Sequence, residues 1–140
     1  MRDNGETMRT INDLLESARA RLDRLAPAAA RAAGESGALI IDTRCGEARR
    51  ASGVIPGSVH VPLSVLYWRL DSTSGHNDEA ISDRNRRIIL VCADGYSSSL
   101  AAAALRDLGF AQATDIDGGF NGWLAAGLPV EQLTDRPDGE

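Results

Sequence analysis

The sequence has few residues that bind metal ions or form disulfides. It contains two cysteines, Cys45 and Cys92, and two histidines, and the cysteines do not form a Cys-x-x-Cys pair. Two cysteines and two histidines are too few for a disulfide framework or a zinc site. We therefore expect no metal ion and no organic cofactor.

Long apolar runs and clusters of basic residues are also missing. No apolar stretch approaches the length needed to span a bilayer, and residues 1–6 lack the apolar centre of a signal peptide. The formal net charge is −5, which argues against a nucleic-acid or anionic-membrane surface. We therefore expect a cytoplasmic protein with no nucleic-acid partner and no membrane partner.

The remaining composition is that of an ordinary globular domain. A chain of 140 residues with 43% hydrophobic and 25% charged residues suits one domain with a modest core. Apolar residues recur at helical spacing over residues 11–25, and Thr10 is a suitable N-cap, which predicts an N-terminal amphipathic helix. Alternatively, residues 22–25 form a short edge strand, because Pro27 suits the first turn of a new helix through Ala33.

Short apolar runs alternate with helical patterns along the rest of the chain. Strands are predicted over residues 38–44, just after the turn at 55–57, at 88–91 and at 113–116. This alternation predicts an α/β fold with a parallel sheet, helices on both faces and right-handed crossovers. Such proteins place their sites at the carboxyl ends of the strands.

A strand, a loop and a helix start meet at Cys92. Gly95 allows the loop to curl, and the Ala-rich run from Leu100 to Leu105 favours a helix. Loop N–H groups and the positive helix N-terminus favour an anion, so the pKa of the Cys92 thiol should lie below its ordinary value. Alternatively, Cys92 is a buried structural cysteine, but the order Cys-x-x-Gly-x-Ser-Ser between strand and helix favours a nucleophile.

Several motifs together resemble the rhodanese-like sulfurtransferases. They appear in the family's order over residues 22–130: Ile41-Asp42-Thr43-Arg44, Ile55-Pro56-Gly57, the Cys92 loop, Gly118-Gly119 with Trp123, and Gly127-Leu128-Pro129. Val54 departs from the pattern, because it stands where the family usually has histidine. The resemblance implies a rhodanese-like, five-stranded, mainly parallel sheet in a domain over 22–130, preceded by an extension with a helix at 1–21 and followed by a flexible tail at 131–140.

The same resemblance implies a sulfurtransferase. Cys92 matches the residue that carries the persulfide, and Asp42 and Arg44 should support the sheet edge beside the loop. The loop residues that should bind substrate are Ala93, Asp94, Gly95, Tyr96, Ser97 and Ser98. The implied substrates are a small sulfur donor such as thiosulfate and a thiol or cyanide acceptor, with a protein persulfide as a further partner. A sulfur-carrying or sensory module without turnover is the alternative.

Two features of the loop limit the chemistry. Many relatives that use thiosulfate carry a basic residue here, whereas this loop has Asp94, so we expect the site to disfavour small dianions relative to less charged persulfides. Phosphatases and arsenate reductases related to rhodaneses have a longer loop closed by an arginine that grips two oxygens. Ser98 and Ser99 stand where that arginine would be expected, so we do not expect either activity.

Cys45 is a candidate resolving cysteine. It follows Arg44 just beyond a strand that neighbours the Cys92 strand in the rhodanese-like arrangement, so both sulfurs would lie at one sheet edge. A thiol in that place could condense with an oxidised Cys92. Alternatively, Cys45 is an incidental loop residue.

Overall fold

A parallel sheet forms the centre of the computed structural model, which describes residues 8–133. These residues form four strands in the order β2-β1-β3-β4, and every neighbouring pair is parallel. The strands are β1 (Leu39–Asp42), β2 (Val59–His60), β3 (Ile88–Val91) and β4 (Thr114–Asp115). The carboxyl ends of β1 and β3 are in register, with Asp42 beside Val91.

Six α-helices surround the sheet in the described part of the chain. They are α1 (Ile11–Ala20), α2 (Pro27–Glu35), α3 (Gly46–Ser52), α4 (Leu66–Leu70), α5 (Ser97–Asp107) and α6 (Gly119–Ala125). Thr10 is the N-cap of α1 and exchanges hydrogen bonds with Asp13 in a capping box, as its position before the apolar stripe predicts. A short 3-10 turn at Leu63–Val65 precedes α4.

Both faces of the sheet are covered by helices, which confirms the predicted layers. Successive side chains of β1 and β3 point to opposite faces, so the apolar residues of these strands supply two cores. One core joins Ile41 and Leu90 to α4 and α5, and the other joins Ile40 and Val91 to Phe120 and Trp123 of α6. The central strands are therefore buried on both sides, and their carboxyl ends are held rigidly.

The sheet has four strands rather than the predicted five. The segment expected to supply the fifth contributes a single parallel bridge between Leu25 and Ile116. Leu25 donates to the Asp115 carbonyl at 3.0 Å and accepts from the Asp117 N–H at 2.8 Å. The strand stays this short because Ala26 is already the N-cap of α2 and Pro27 its first residue.

Several helices differ from the sequence predictions, and the strands predicted at 38–44 and 113–116 are shorter, at Leu39–Asp42 and Thr114–Asp115. Helix α2 runs to Glu35 instead of ending before Gly34, and α5 begins at Ser97 instead of Leu100. Helix α3 was not predicted, because the segment Gly46–Ser52 buries none of its residues and has no apolar period to reveal it.

The two chain ends pack onto this core differently. Helix α1 packs against α5, and Glu131 forms an antiparallel bridge with Val54. Residues 134–140 of the predicted tail and residues 1–7 of the predicted extension lie outside the described residues, and the predicted domain boundaries stay predictions. Between residues 8 and 133, no helix combines the length and apolar character that a membrane crossing requires.

Candidate active site

Cys92 lies directly after β3, at the carboxyl edge of the sheet. Its exposed fraction is 7%, so the sulfur is largely shielded from water. The backbone N–H of Gly95 donates to Cys92 Sγ at 3.2 Å. Gly95 has φ of +87°, a backbone conformation that residues with a side chain rarely adopt. This glycine therefore lets the loop turn back onto the sulfur.

The loop stabilises the Cys92 thiolate. Burial raises the pKa of the thiol, but hydrogen bonds from the Ser98 and Ser97 side chains and from the Ser98 and Gly95 backbone outweigh it. The pKa of Cys92 therefore lies below the ordinary cysteine value. This is the direction expected for a nucleophilic thiol at a helix N-terminus.

The Ser98 hydroxyl donates to Asp115 and also contributes to the lowered pKa of Cys92. Its Oγ lies 2.7 Å from Asp115 Oδ2, and its side chain also stabilises the Cys92 thiolate. Because a hydroxyl donates only one proton, Ser98 donates to one of the two at a time. Asp115 has further donors besides Ser98, because Ser99 Oγ lies 2.8 Å from it and Arg24 Nε 2.9 Å.

The start of α6 holds the loop from the side. The Phe120 N–H donates to the Cys92 carbonyl at 2.7 Å, and the Asn121 N–H donates to the Ala93 carbonyl at 3.0 Å. These are N–H groups of the first turn of α6, which have no partner inside the helix. The Gly118-Gly119 pair is therefore more than a turn, because it allows a helix to start against the loop backbone.

Asp42 and Arg44 form a buried ion pair at the end of β1. Arg44 donates to both carboxylate oxygens of Asp42, at 3.1 and 2.8 Å, and to the Gly53 carbonyl at 2.8 Å. Burial raises the pKa of Asp42, but Arg44 and Arg49 more than compensate and hold it below the usual range. The Arg44 guanidinium lies 3.8 Å from the centre of the Phe120 ring, so the pair reaches the loop through α6.

The outer loop residues face solvent. Asp94 is exposed, and the Asn121 side chain donates to its carboxylate at 2.7 Å. The Tyr96 side chain is 62% exposed, with the Arg19 guanidinium 5.4 Å from its ring centre. The solvent-facing side of the loop therefore carries one carboxylate and one aromatic ring.

The sequence interpretation missed three residues that contact the loop network. Asp115 is fully buried at the end of β4, and Arg24 forms an ion pair with it at 2.9 Å. Arg19 and Arg24 both donate to the Gly95 carbonyl, at 2.7 and 3.0 Å. The charged Asp115 inside a short apolar strand was the one signal in the sequence that could have indicated a buried partner.

Cys45 and His60 lie at the same sheet edge. Cys45 is the exposed N-cap residue of α3, and His60 Nε2 lies 2.7 Å from the Arg44 carbonyl oxygen. Both cysteines are free thiols, so a bridge from Cys45 to Cys92 stays a prediction. Among residues 8–133, no three His, Cys, Asp or Glu side chains are grouped so that they could hold one metal ion.

Known proteins resemble this chain in sequence. The rhodanese-like domain family model matches residues 26–126. The thiosulfate sulfurtransferase GlpE of Pseudomonas savastanoi pv. phaseolicola is 36% identical over 102 residues, which cover 73% of this chain and 87% of that protein.

Solved structures are similar over most of the fold. A protein of unknown function from Rhodopseudomonas palustris CGA009, described as a possible tyrosine phosphatase, has a TM-score of 0.82 and 29% identity and covers 94% of this chain and 99% of its own. A thiosulfate sulfurtransferase from Pseudomonas aeruginosa has a TM-score of 0.67 and 27% identity, over 88% of this chain and 22% of its own. The rhodanese-like fold predicted from the motifs is thus confirmed.

Proposed function

We propose that Cys92 carries the transferred sulfur as a persulfide in this chain, which belongs to the rhodanese-like domain family and is a sulfurtransferase. The observation that supports this role is the set of donors around Cys92 Sγ, which includes the Gly95 N–H at 3.2 Å. A thiolate is the nucleophilic form of cysteine, and these donors lower the pKa of Cys92.

In the first half-reaction, the Cys92 thiolate attacks the outer sulfur of a donor such as thiosulfate. A sulfur–sulfur bond forms to Cys92, the bond between the two sulfurs of thiosulfate breaks, and sulfite leaves with the electron pair. The product is an anionic persulfide on Cys92. This is covalent nucleophilic catalysis with two separate half-reactions, so ping-pong kinetics are expected.

In the second half-reaction, a thiophilic acceptor attacks the terminal persulfide sulfur. A thiolate acceptor leaves as a persulfide and cyanide leaves as thiocyanate, and the Cys92 thiolate is regenerated in both cases. The residues that we propose to hold the terminal sulfur are those of the loop from Ala93 to Ser98, through backbone N–H groups and the Ser97 and Ser98 hydroxyls. Asp42 and Arg44 support this arrangement through Phe120.

Intact mass spectrometry tests the role of Cys92. Exposure to thiosulfate should add one sulfur atom that dithiothreitol removes and that maps to the Cys92 peptide. The Cys92→Ser variant should gain nothing, whereas Cys45→Ser, the matched control at the other free thiol, should load normally. A sulfur adduct confined to Cys45 would overturn the assignment.

A measurement of turnover distinguishes an enzyme from a protein that only carries sulfur. Thiocyanate formation from thiosulfate and cyanide should be measurable for the unchanged chain and absent in Cys92→Ser. A chain that gains sulfur on Cys92 but releases it to neither cyanide nor thiols would instead be a carrier or sensory module, and the proposed turnover would be wrong.

We propose the cytoplasm as the place of the reaction and a protein persulfide as a further donor. Two free cysteines suit a reducing compartment, where thiols are kept reduced. Cell fractionation tests the location, and recovery of the chain with periplasmic markers would contradict it. A donor protein is tested by mixing a persulfide-loaded protein with this chain and following the mass of the Cys92 peptide.

A further inference from the structure

Two arginines that precede the family-model match converge on one carbonyl of the active loop. Arg19, in the last turn of α1, donates from Nη2 to the Gly95 oxygen at 2.7 Å. Arg24, between α1 and α2, donates from Nη2 to the same oxygen at 3.0 Å. The family model matches residues 26–126, so both arginines lie outside the part of the chain that defines the family.

Holding this carbonyl fixes the direction of the Tyr96 N–H, which belongs to the same peptide. In a trans peptide the C=O and the following N–H point in opposite directions, and no peptide bond among residues 8–133 is cis. With the Gly95 oxygen held on the side of Arg19 and Arg24, the Tyr96 N–H points to the opposite side of that peptide. The Gly95 N–H, one residue earlier, donates to Cys92 Sγ.

From this geometry we propose that Arg19 and Arg24 are positioning residues of the active site, which hold the peptide between Gly95 and Tyr96 so that the loop keeps the shape that stabilises the Cys92 thiolate. Neither arginine contacts the sulfur. They act from behind the loop, through the Gly95 carbonyl. The N-terminal segment that carries them would thus complete an active site whose loop residues all come from the family domain.

A buried carboxylate connects the two arginines to the first turn of α5. Asp115 accepts from Ser98 Oγ at 2.7 Å, Ser99 Oγ at 2.8 Å and Arg24 Nε at 2.9 Å. Arg19 Nε donates to Ser99 Oγ at 3.1 Å. Because Asp115 is fully buried, each of these donors offsets the cost of burying its charge, and removing one disturbs the others.

Charge alone does not account for the role of these arginines. The charged groups around the loop are Arg19 of α1, Arg24, Asp115 of β4, Asp117 and Asp94. Arg24 is paired with both Asp115 and Asp117, at 2.9 and 3.2 Å, so its positive charge is largely neutralised where it meets the loop. Its attraction to the Cys92 thiolate adds to the effect of orientation.

The alkylation rate of Cys92 by iodoacetamide, followed against pH by peptide mapping, tests the proposal. This reagent is uncharged, so its approach to the sulfur does not depend on local charge. Arg19→Gln and Arg24→Gln should each lower the rate at neutral pH by about threefold or more and move the midpoint of the pH profile upward, because the thiolate loses oriented donors. Arg21→Gln is the matched control, because Arg21 lies between them in sequence but pairs with Asp107 on the surface.

Lysine variants separate orientation from charge. Arg24→Lys keeps the positive charge but cannot donate to Asp115 and the Gly95 carbonyl with a planar fork, so it should behave like Arg24→Gln. A normal pH profile in Arg24→Lys would show that charge, not orientation, carries the effect and would overturn the proposal. Unchanged pH profiles of Cys92 alkylation in folded Arg19→Gln and Arg24→Gln variants would also overturn the proposal.

Thermal melting of every variant shows whether it is folded. If the loss of the ion pair between Arg24 and Asp115 unfolds the protein, Arg19→Gln decides, because Arg19 has no ion pair among the described contacts. The catalytic role of the two arginines rests on the proposed function, but the alkylation of Cys92 can be measured without any sulfur transfer. Failure of Cys92 to take up sulfur would overturn the proposed function while the pH profiles still decide the role of the arginines.

Discussion

Gly119, the first residue of helix α6, leaves no room for a side chain between the helix and the active loop. Its φ is +63°, and a Cβ atom placed on it would lie 2.6 Å from the Cys92 carbonyl oxygen and 2.6 Å from the Gly95 nitrogen. Both are backbone atoms, which cannot move aside as a flexible side chain could. A side chain at this position is therefore incompatible with the distance between α6 and the loop.

Gly119→Ala is expected to damage both stability and the site. The left-handed backbone costs about 1–2 kcal/mol for a residue with a Cβ, and overpacking adds about 1–3 kcal/mol. Denaturant unfolding measures the loss of stability, and the pH profile of Cys92 alkylation should shift upward as the loop is displaced. Gly57→Ala is the control, because Gly57 has φ of +82° but no described atom within 4 Å of the added Cβ. Equal losses in the two variants would contradict the role of close approach.

Asp94 provides a second test at the residue scale. Its carboxylate is exposed, and its Oδ1 accepts from Asn121, a bond that asparagine at position 94 could retain through its own oxygen. Asp94→Asn therefore removes charge while keeping shape and contact. We expect the KM for thiosulfate to fall by about twofold to threefold at low ionic strength, with the difference disappearing at high salt.

The matched control for Asp94 is Glu35→Gln. Glu35 ends α2, which precedes the amino end of β1, so this variant removes one negative charge at the opposite edge of the sheet. Its KM should equal that of the unchanged chain. An Asp94→Asn variant with an unchanged KM at low salt would refute the electrostatic argument.

At the scale of elements, the sequence predicted best where apolar residues are continuous or periodic. The runs in β1 and β3 and the stripe of α1 identify those elements, because burial on one or two faces leaves a pattern in the residues. Helix α3 left no such pattern, since none of Gly46–Ser52 is buried. The bridge at Leu25 is one residue long, too short for any alternation to show.

The same reasoning explains which parts of the site were predicted. The Cys92 loop and the Asp42–Arg44 pair lie within continuous stretches, so spacing and motif order reveal them. The Arg24–Asp115 pair joins residues 91 positions apart, and Arg19 reaches Gly95 across 76 positions. Only the folded sheet, with Leu25 bridged to Ile116, brings these partners together.

The contacts of the Cys92 loop predict that this chain has no phosphatase activity. The similar Rhodopseudomonas palustris protein is nevertheless described as a possible tyrosine phosphatase. Oxyanion transfer needs an arginine whose fork grips the substrate from within the loop. Here Arg19 and Arg24 donate to the Gly95 carbonyl instead, and Asp94 would repel a dianion. Hydrolysis of an aryl phosphate such as p-nitrophenyl phosphate should stay at background. Hydrolysis that Cys92→Ser abolishes would prove this wrong.

At the scale of the whole molecule, the sheet brings both cysteines to one edge. The Thr43 N–H donates to the Val91 carbonyl at 2.9 Å, so β1 and β3 stay paired up to the residue before Cys92. Cys45 lies two residues beyond Thr43, at the start of α3, and is exposed. A disulfide would require Cα atoms about 4.4–6.8 Å apart, and the loop has to move if they are more than about 7 Å apart.

Mild peroxide is expected to produce a Cys45–Cys92 disulfide when no sulfur is loaded. Peroxide oxidises the Cys92 thiolate to a sulfenic acid, which the Cys45 thiol attacks with loss of water. Peptide mapping without reductant should detect the crosslinked peptide. In Cys45→Ser, Cys92 should instead proceed to sulfinic acid. Overoxidised Cys92 beside a free Cys45 in the unchanged chain would end the proposal of a resolving cysteine.

Attachment of the loop to α6 also determines when the thiol becomes reactive during synthesis. The carbonyls of Cys92 and Ala93 accept from Phe120 and Asn121, so a chain still growing on the ribosome holds Cys92 long before these donors exist. Until then nothing holds the loop backbone from the side of α6, so the donors around Cys92 Sγ lack a fixed place and the thiol is mostly protonated at neutral pH, as in an unfolded chain. Chains that stop before Phe120 therefore present a mostly protonated thiol to the cell, and the reactive thiolate forms only after α6 has been made and has packed against the loop.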